Sequence, residues 1–170
     1  MQAVTQVVER GSGEVVGELA EAVRLHRSGE RSAAAFSRIA SLTPEPFCAR
    51  TYHLLALAVK RSGCQHIGLL VGQLDGLQSI GLAGLLTRYS PDVETALRSF
   101  VRYLHTQVRG AKSVLSVDGS VTTLNWEIYQ PEVDAVDQMG DGALAVMCNI
   151  LRELCGPGWT PIEVQFAHRD

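Results

Sequence analysis

Arg88, Tyr89, Arg102, Tyr103, His105 and Trp126 are the side chains in this 170-residue sequence best equipped to hold a small molecule. A guanidinium forks onto a carboxylate or phosphate through two parallel hydrogen bonds, and aromatic rings supply large, orientable surfaces. Each has a plainer reading beside it. Arg98, Arg102 and His105 fit the wet side of a helix, Trp126 fits a packed core, and His168 fits a strand end that caps or packs.

Catalysis finds no comparable set. A hydrolase needs a nucleophile with its base and orienting group, and no G-x-S-x-G elbow occurs. The five histidines show neither H-x-x-x-H nor H-x-x-E-H spacing, which removes the common zinc-hydrolase patterns. Glu132, Asp134 and Asp137 fall in a polar stretch, 130–138, that reads as a linker and not as an acid–base pair. The sequence therefore predicts no catalytic residue, no metal site and no cofactor. Cys48, Cys64, Cys148 and Cys155 form no C-x-x-C pair, so they are expected as reduced, buried thiols. Cys148 and Cys155, seven residues apart, share one helix face.

A formal charge of -3 and a pI near 5.9 leave no basic field over the molecule, which argues against direct DNA binding by these residues. The N-terminus shows no charged leader followed by an apolar run, so the expectation is a cytoplasmic protein. Residues 67–86 are the one apolar run long enough to suggest a membrane span. Asp75 near its middle would cost about 2.5 to 3.5 kcal/mol on insertion, and Gln73, Gln78 and the interior glycines weaken it further.

The elements that must position these residues follow from periodicity. Residues 13–28 place Val16, Leu19, Ala20 and Val23 at helical spacing, and 32–41 present Phe36, Ile39 and Ala40. After the Thr43-Pro44-Glu45-Pro46 break, a third helix carries Phe47, Thr51, Leu54, Leu55, Ala58 and Val59 and stops at Gly63. From His66 the pattern Ile67, Leu70, Val71, Leu74 predicts a helix with Gly68, Gly72 and Gly76 along one face. Core packing explains those glycines better than a ligand groove, and they lack the context of a phosphate loop. Ser90-Pro91-Asp92 predicts a helix start, with Ser90 as cap and Pro91 in the first turn. Its stripe is Val93, Ala96, Leu97, Phe100, Val101, Leu104 and Val108, and Glu94 and Arg98 are spaced to pair. Alternation then predicts a hairpin turning at Asp118-Gly119, with Leu124, Trp126 and Ile128 on the buried face. A final helix carries Ala143, Val146, Met147, Ile150, Leu151 and Leu154, ends at Gly156-Pro157, and precedes a predicted strand over 162–168. The fold class is α+β: one domain over 1–170, several helices packed on a small antiparallel sheet.

The order of these signals resembles the N-terminal, so-called arabinose-binding type, domain of AraC/XylS-family transcription regulators. The segment from Ser90 to Tyr103, with Ala96-Leu97-Arg98 and Arg102-Tyr103, is similar to a recurrent family segment. So is the ending, where Gly156-Pro157 and Pro161 precede Val164-Gln165-Phe166-Ala167-His168. The resemblance covers residues 44–170, while 1–43 look like a divergent helical part. It implies a domain that binds a small-molecule effector, an anionic one if the arginines take part, and that forms a homodimer. DNA would be reached only through a C-terminal helix-turn-helix domain not in this chain. A ligand-free dimerisation module is the alternative. An internal cavity would favour the first reading, and a filled core with an exposed apolar helix stripe the second.

Overall fold

The computed structural model describes residues 55, 56, 58–60, 63–129 and 135–168. The helices predicted at 13–28 and 32–41, the start of the third, and Cys48 lie outside the described residues. The end of the third helix is present: residues 58–60 are helical, Leu55 and Ala58 are buried, and Gly63 N–H donates to the Val59 carbonyl at 2.9 Å. The elements that follow are α1 (Ile67–Gly72), a 3-10 turn (Leu77–Ile80), α2 (Gly81–Arg88) and α3 (Val93–Tyr103). After a second 3-10 turn (Leu104–Thr106) come β1 (Ala111–Asp118), β2 (Val121–Ile128) and α4 (Val136–Cys155). This is the α+β arrangement expected, with a two-stranded antiparallel sheet.

Helix α4 organises the domain because it carries two different faces. Gln138, Gly142, Ala145, Asn149 and Glu153 recur every three or four residues and so lie in one row. That row is small or polar, and it receives α1 and the loop after it. Gln138 Oε1 accepts from the Gly68 N–H at 3.0 Å while its Nε2 donates to the Gln65 carbonyl at 2.8 Å. Helix α1 has no side-chain cap of its own, so a neighbouring helix satisfies one of its orphan amides. A methyl group at Gly68 would collide with the Gln138 carbonyl, and one at Gly72 with the Gly142 carbonyl and the Ala145 Cβ. These two glycines thus serve the packing role read from the sequence.

Helix α1 ends at Gly72, earlier than the spacing of Leu74 and Gly76 predicts. Asn149 Nδ2 donates to the carbonyls of Gly72, Gln73 and Asp75 at 3.3, 2.9 and 2.8 Å, which stabilises the turn out of the helix. Gly76 precedes the first 3-10 turn and abuts the Glu153 carboxylate instead of lining α1. The 67–86 run is therefore divided between two helices. Among the described residues no helix is long and apolar enough to cross a membrane.

A second side of α4 supplies Met147 and Ile150 to the core. They cluster with Leu77, Ile80, Phe100, Leu104, Val108 and Ala111, and Leu124, Trp126 and Ile128 of β2 pack against the group. The predicted stripe of α3 is buried at Ala96, Leu97 and Phe100 and continues through Leu104 and Val108 beyond the helix, whereas Val93 is exposed. Glu94 and Arg98 pair at 2.8 Å, as spaced.

Four local expectations need correction. The cap of α3 is Asp92, not Ser90: its extended backbone (φ -152°, ψ 168°) lets the carboxylate accept from the Thr95 N–H at 2.8 Å and the Thr95 hydroxyl at 3.0 Å. Those hydrogen bonds, the backbone one foremost, hold its carboxyl below the usual carboxylate range. Pro91 then lies outside the helix, and the Ser90 hydroxyl donates to the Leu86 carbonyl at the end of α2. The hairpin pairs Asp118 with Val121, so its turn residues are Gly119-Ser120. Gly119 at φ 57° takes the first central position, where a positive φ favours glycine. The polar stretch gives way to α4 at Val136, which puts Asp137 and Gln138 inside the helix, with Asp137 at the favourable end of its dipole.

The fourth correction is the closing strand. Residues 162–168 alternate in type but make no ladder with β1 or β2, and Ile162 is 93 % exposed. Alternation makes a strand only where a sheet edge pairs its backbone. This segment is instead tied to α4 by His168 Nε2 and Asp141 Oδ1 at 2.8 Å. The thiols also differ from expectation. Cys64 is buried, Cys148 is half-buried, and Cys155 is exposed.

Candidate functional site

The six candidate side chains fall into three places. Arg88 and Tyr89 stand at the C-terminal end of α2, Arg102, Tyr103 and His105 at the end of α3, and Trp126 on the inner face of the hairpin. Among the described residues no hydrogen bond, ion pair or ring contact joins one place to another.

Arg88 already has a partner. Its Nη2 donates to Glu153 Oε2 at 2.7 Å, and Glu153 Oε1 accepts from the Leu77 N–H at 3.1 Å. The guanidinium thus locks α2 and the 3-10 turn to α4, while Tyr89 beside it is exposed. On α3 the Arg102 guanidinium lies 5.5 Å from the centre of the Tyr103 ring. His105 Nδ1 is 2.8 Å from the Arg102 carbonyl. Arg102 and His105 are exposed and Tyr103 half-buried, so this group forms a cationic and aromatic surface at one helix end.

Trp126 sits differently. Strand pairing sets it opposite Ser113, with Ala111 opposite Ile128 and Leu115 opposite Leu124, and alternation puts all six on the face toward α4. The Trp126 ring packs against the core cluster, yet its buried Nε1–H has no hydrogen-bond partner among the described residues. Ser113 does not serve it, since its hydroxyl donates to the Asn125 carbonyl at 3.0 Å. A buried donor left unmatched costs about 1 to 3 kcal/mol, so this N–H is a place where an acceptor from outside the chain would be stabilising.

Two carboxylates of structural interest lie outside the candidate set. Asp141 is buried on α4 and pairs with His168. An acid one turn after Asp137, beside the apolar run that begins at Ala143, was the available signal. Asp75, in the turn after α1, carries a carboxyl raised above its ordinary value of 3.8 by burial. A raised acid pKa means that the folded state holds the proton more tightly than the unfolded chain. Its contribution to stability is complete below pH 3.8 and is lost as pH rises through the folded pKa. Asp75→Asn is therefore expected to stabilise the fold at pH 7 and to make little difference in acid. Urea unfolding at both pH values checks this, and a destabilised variant at pH 7 would contradict it.

No metal centre accompanies these groups: among the described residues no three His, Cys, Asp or Glu side chains are placed to hold an ion. The family described as the arabinose-binding domain of AraC transcription regulator, N-terminal, matches the chain over residues 48–170. The chain belongs to this family. The match begins close to residue 44, where the resemblance was read. No curated protein matches the chain. Within this AraC-type regulatory domain the segment from Ser90 to Tyr103, on which the resemblance was read, is α3 with its cap, which builds the core through Phe100 and presents Arg102 outward. The ending on which the resemblance was also read is the segment that His168 fastens to α4.

Proposed function

We propose that this AraC-type regulatory domain binds a small-molecule effector beneath the hairpin and passes the signal, through a dimer, to an attached DNA-binding domain. The observation that supports effector binding is the buried Nε1–H of Trp126 between the hairpin and α4, which has no partner among the described residues. An effector with a carbonyl, hydroxyl or carboxylate oxygen satisfies that donor and so binds one arrangement of the domain more tightly than another, as a population shift requires. Anionic character would come from Arg102, whose guanidinium lies against the Tyr103 ring and has no acid partner among the described residues, more readily than from Arg88, which Glu153 engages. Tyr103 and His105 lie beside Arg102 and would contribute shape and hydrogen bonding.

Thermal-shift measurement over a panel of polar and anionic metabolites tests the reading. A ligand present at a hundred times its dissociation constant adds about 2.7 kcal/mol of stability. Trp126→Phe keeps the ring and removes the N–H, so it should weaken such a ligand roughly tenfold, the worth of one hydrogen bond. A panel without any shift, or a ligand indifferent to Trp126→Phe, would remove the hairpin site. The second reading, a ligand-free dimerisation module, is favoured by one observation: the leucine face of α2 stands in water.

A further inference from the structure

Helix α2 is packed inside out. Its buried residues are the small ones, Ala83, Gly84 and Thr87, while Leu82 is 61 %, Leu85 53 %, Leu86 41 % and Tyr89 81 % exposed. Thr87 sits in the core because its hydroxyl donates to the Ala83 carbonyl at 2.8 Å, and Gly84 lets the helix descend onto the Leu77 carbonyl. The four large side chains fall at i, i+3, i+4 and i+7, which is one face of a helix.

We propose that this face is where two copies of the chain associate, with α2 crossing its counterpart antiparallel about a twofold axis. The proposal rests on the dimerisation reading above and assigns it a surface. Three observations point to a second copy. The stripe carries no acid and no lysine, and its one cation, Arg88, is matched by Glu153, so like meets like without repulsion. Leu82 and Tyr89 are one heptad apart at opposite ends of the stripe. An antiparallel twofold therefore sets Leu82 against the partner subunit's Tyr89, with Leu85 and Leu86 near the axis, which is the self-complementarity an isologous contact demands. The helix dipoles also oppose each other in that arrangement. Finally, the four side chains leave on the order of 400 Å² of largely apolar surface in water, about the size of the largest such patch on an ordinary monomer, which is often a functional one. That supplies about half of the roughly 800 Å² each partner contributes to a stable interface.

The test is sedimentation velocity of the 170-residue chain over a wide concentration range, with Leu85→Glu and Leu82→Glu as variants. Both positions are exposed, so the variants should keep the thermal midpoint of the dilute protein. The expected result is a wild-type dimer weakened roughly a hundredfold by Leu85→Glu, which sets two carboxylates at the axis. In a Cys155→Ser background, Leu85→Cys should crosslink to its own copy on oxidation, because the axis brings the two positions within about 7 Å. A dimer indifferent to both glutamates, with no crosslink, overturns the assigned surface and leaves the dimerisation reading standing. A wild-type chain that stays monomeric throughout overturns both. A glutamate variant that is monomeric but melts well below wild type means that residues before 55 cover the face, which also overturns the proposal.

Discussion

Gly68→Ala is expected to destabilise the domain by about 3 kcal/mol or more, and Gly72→Ala by a comparable amount. Overpacking a tight core ordinarily costs about 1 to 3 kcal/mol. Here the obstacle is backbone: the new methyl at Gly68 meets the Gln138 carbonyl, and that at Gly72 meets the Gly142 carbonyl. A side chain can rotate away, but a helix carbonyl moves only with its helix. Separating α1 from α4 would also stretch the hydrogen bond from the Gly68 N–H to Gln138 Oε1 and loosen the Asn149 amide from three carbonyls. Helix propensity pulls the other way, since alanine in a helix interior is favoured over glycine by up to about 1 kcal/mol. The sign of the change therefore decides whether the seam is tight. Gly140→Ala is the internal control: it lies within α4 with open space around it, so it should stabilise by roughly 0.5 to 1 kcal/mol. Denaturant unfolding of the three variants measures the contrast, and a stabilised Gly68→Ala would disprove the close approach.

Periodicity made the core legible wherever an element buries one apolar stripe. The α3 stripe and the inner face of β2 are of this kind, since every large apolar side chain there is buried or packed against the core cluster except Val93 at the start of α3. It failed where packing relies on small or polar residues. The row from Gln138 to Glu153 on α4 has helical spacing but no apolar signal, because its role is to satisfy the backbone of α1 and the following turn. On α2 the apolar signal was present and pointed the wrong way, for the leucines face water and Thr87 faces the core. The strand predicted at 162–168 failed for a third reason: alternation says which side chains share a face and nothing about whether a sheet edge is free to pair. The candidate site was legible as residue types. Its geometry was not, because the partner of Arg88 lies 65 residues away in sequence, and an unpartnered indole N–H is a property of the packed interior alone.

Phe100→Ala should cost about 3 to 5 kcal/mol, a large share of the roughly 5 to 15 kcal/mol that holds a domain of ordinary stability. Phe100 is 2 % exposed and clusters with Leu77 and Ile80 from the first 3-10 turn, Ala111 from β1, and Met147 and Ile150 from α4. The cavity it leaves is thus bounded by elements that cannot all move inward together, which sets the upper part of the range. Phe100→Leu fills most of the same space and should lose less than about 1.5 kcal/mol. The consequence reaches the proposed effector site, since Trp126 rests on the same cluster. With Trp159→Phe as the background, leaving Trp126 as the single tryptophan, the emission of Phe100→Ala should shift to longer wavelength as water approaches the indole, while that of Phe100→Leu should stay near the parent. An unshifted Phe100→Ala spectrum, at a concentration of denaturant where the variant is still folded, would mean that the indole is held by the hairpin alone. The effector would then gain nothing from the core behind it, and the coupling between ligand and domain packing would have to run through α3 and Arg102 instead.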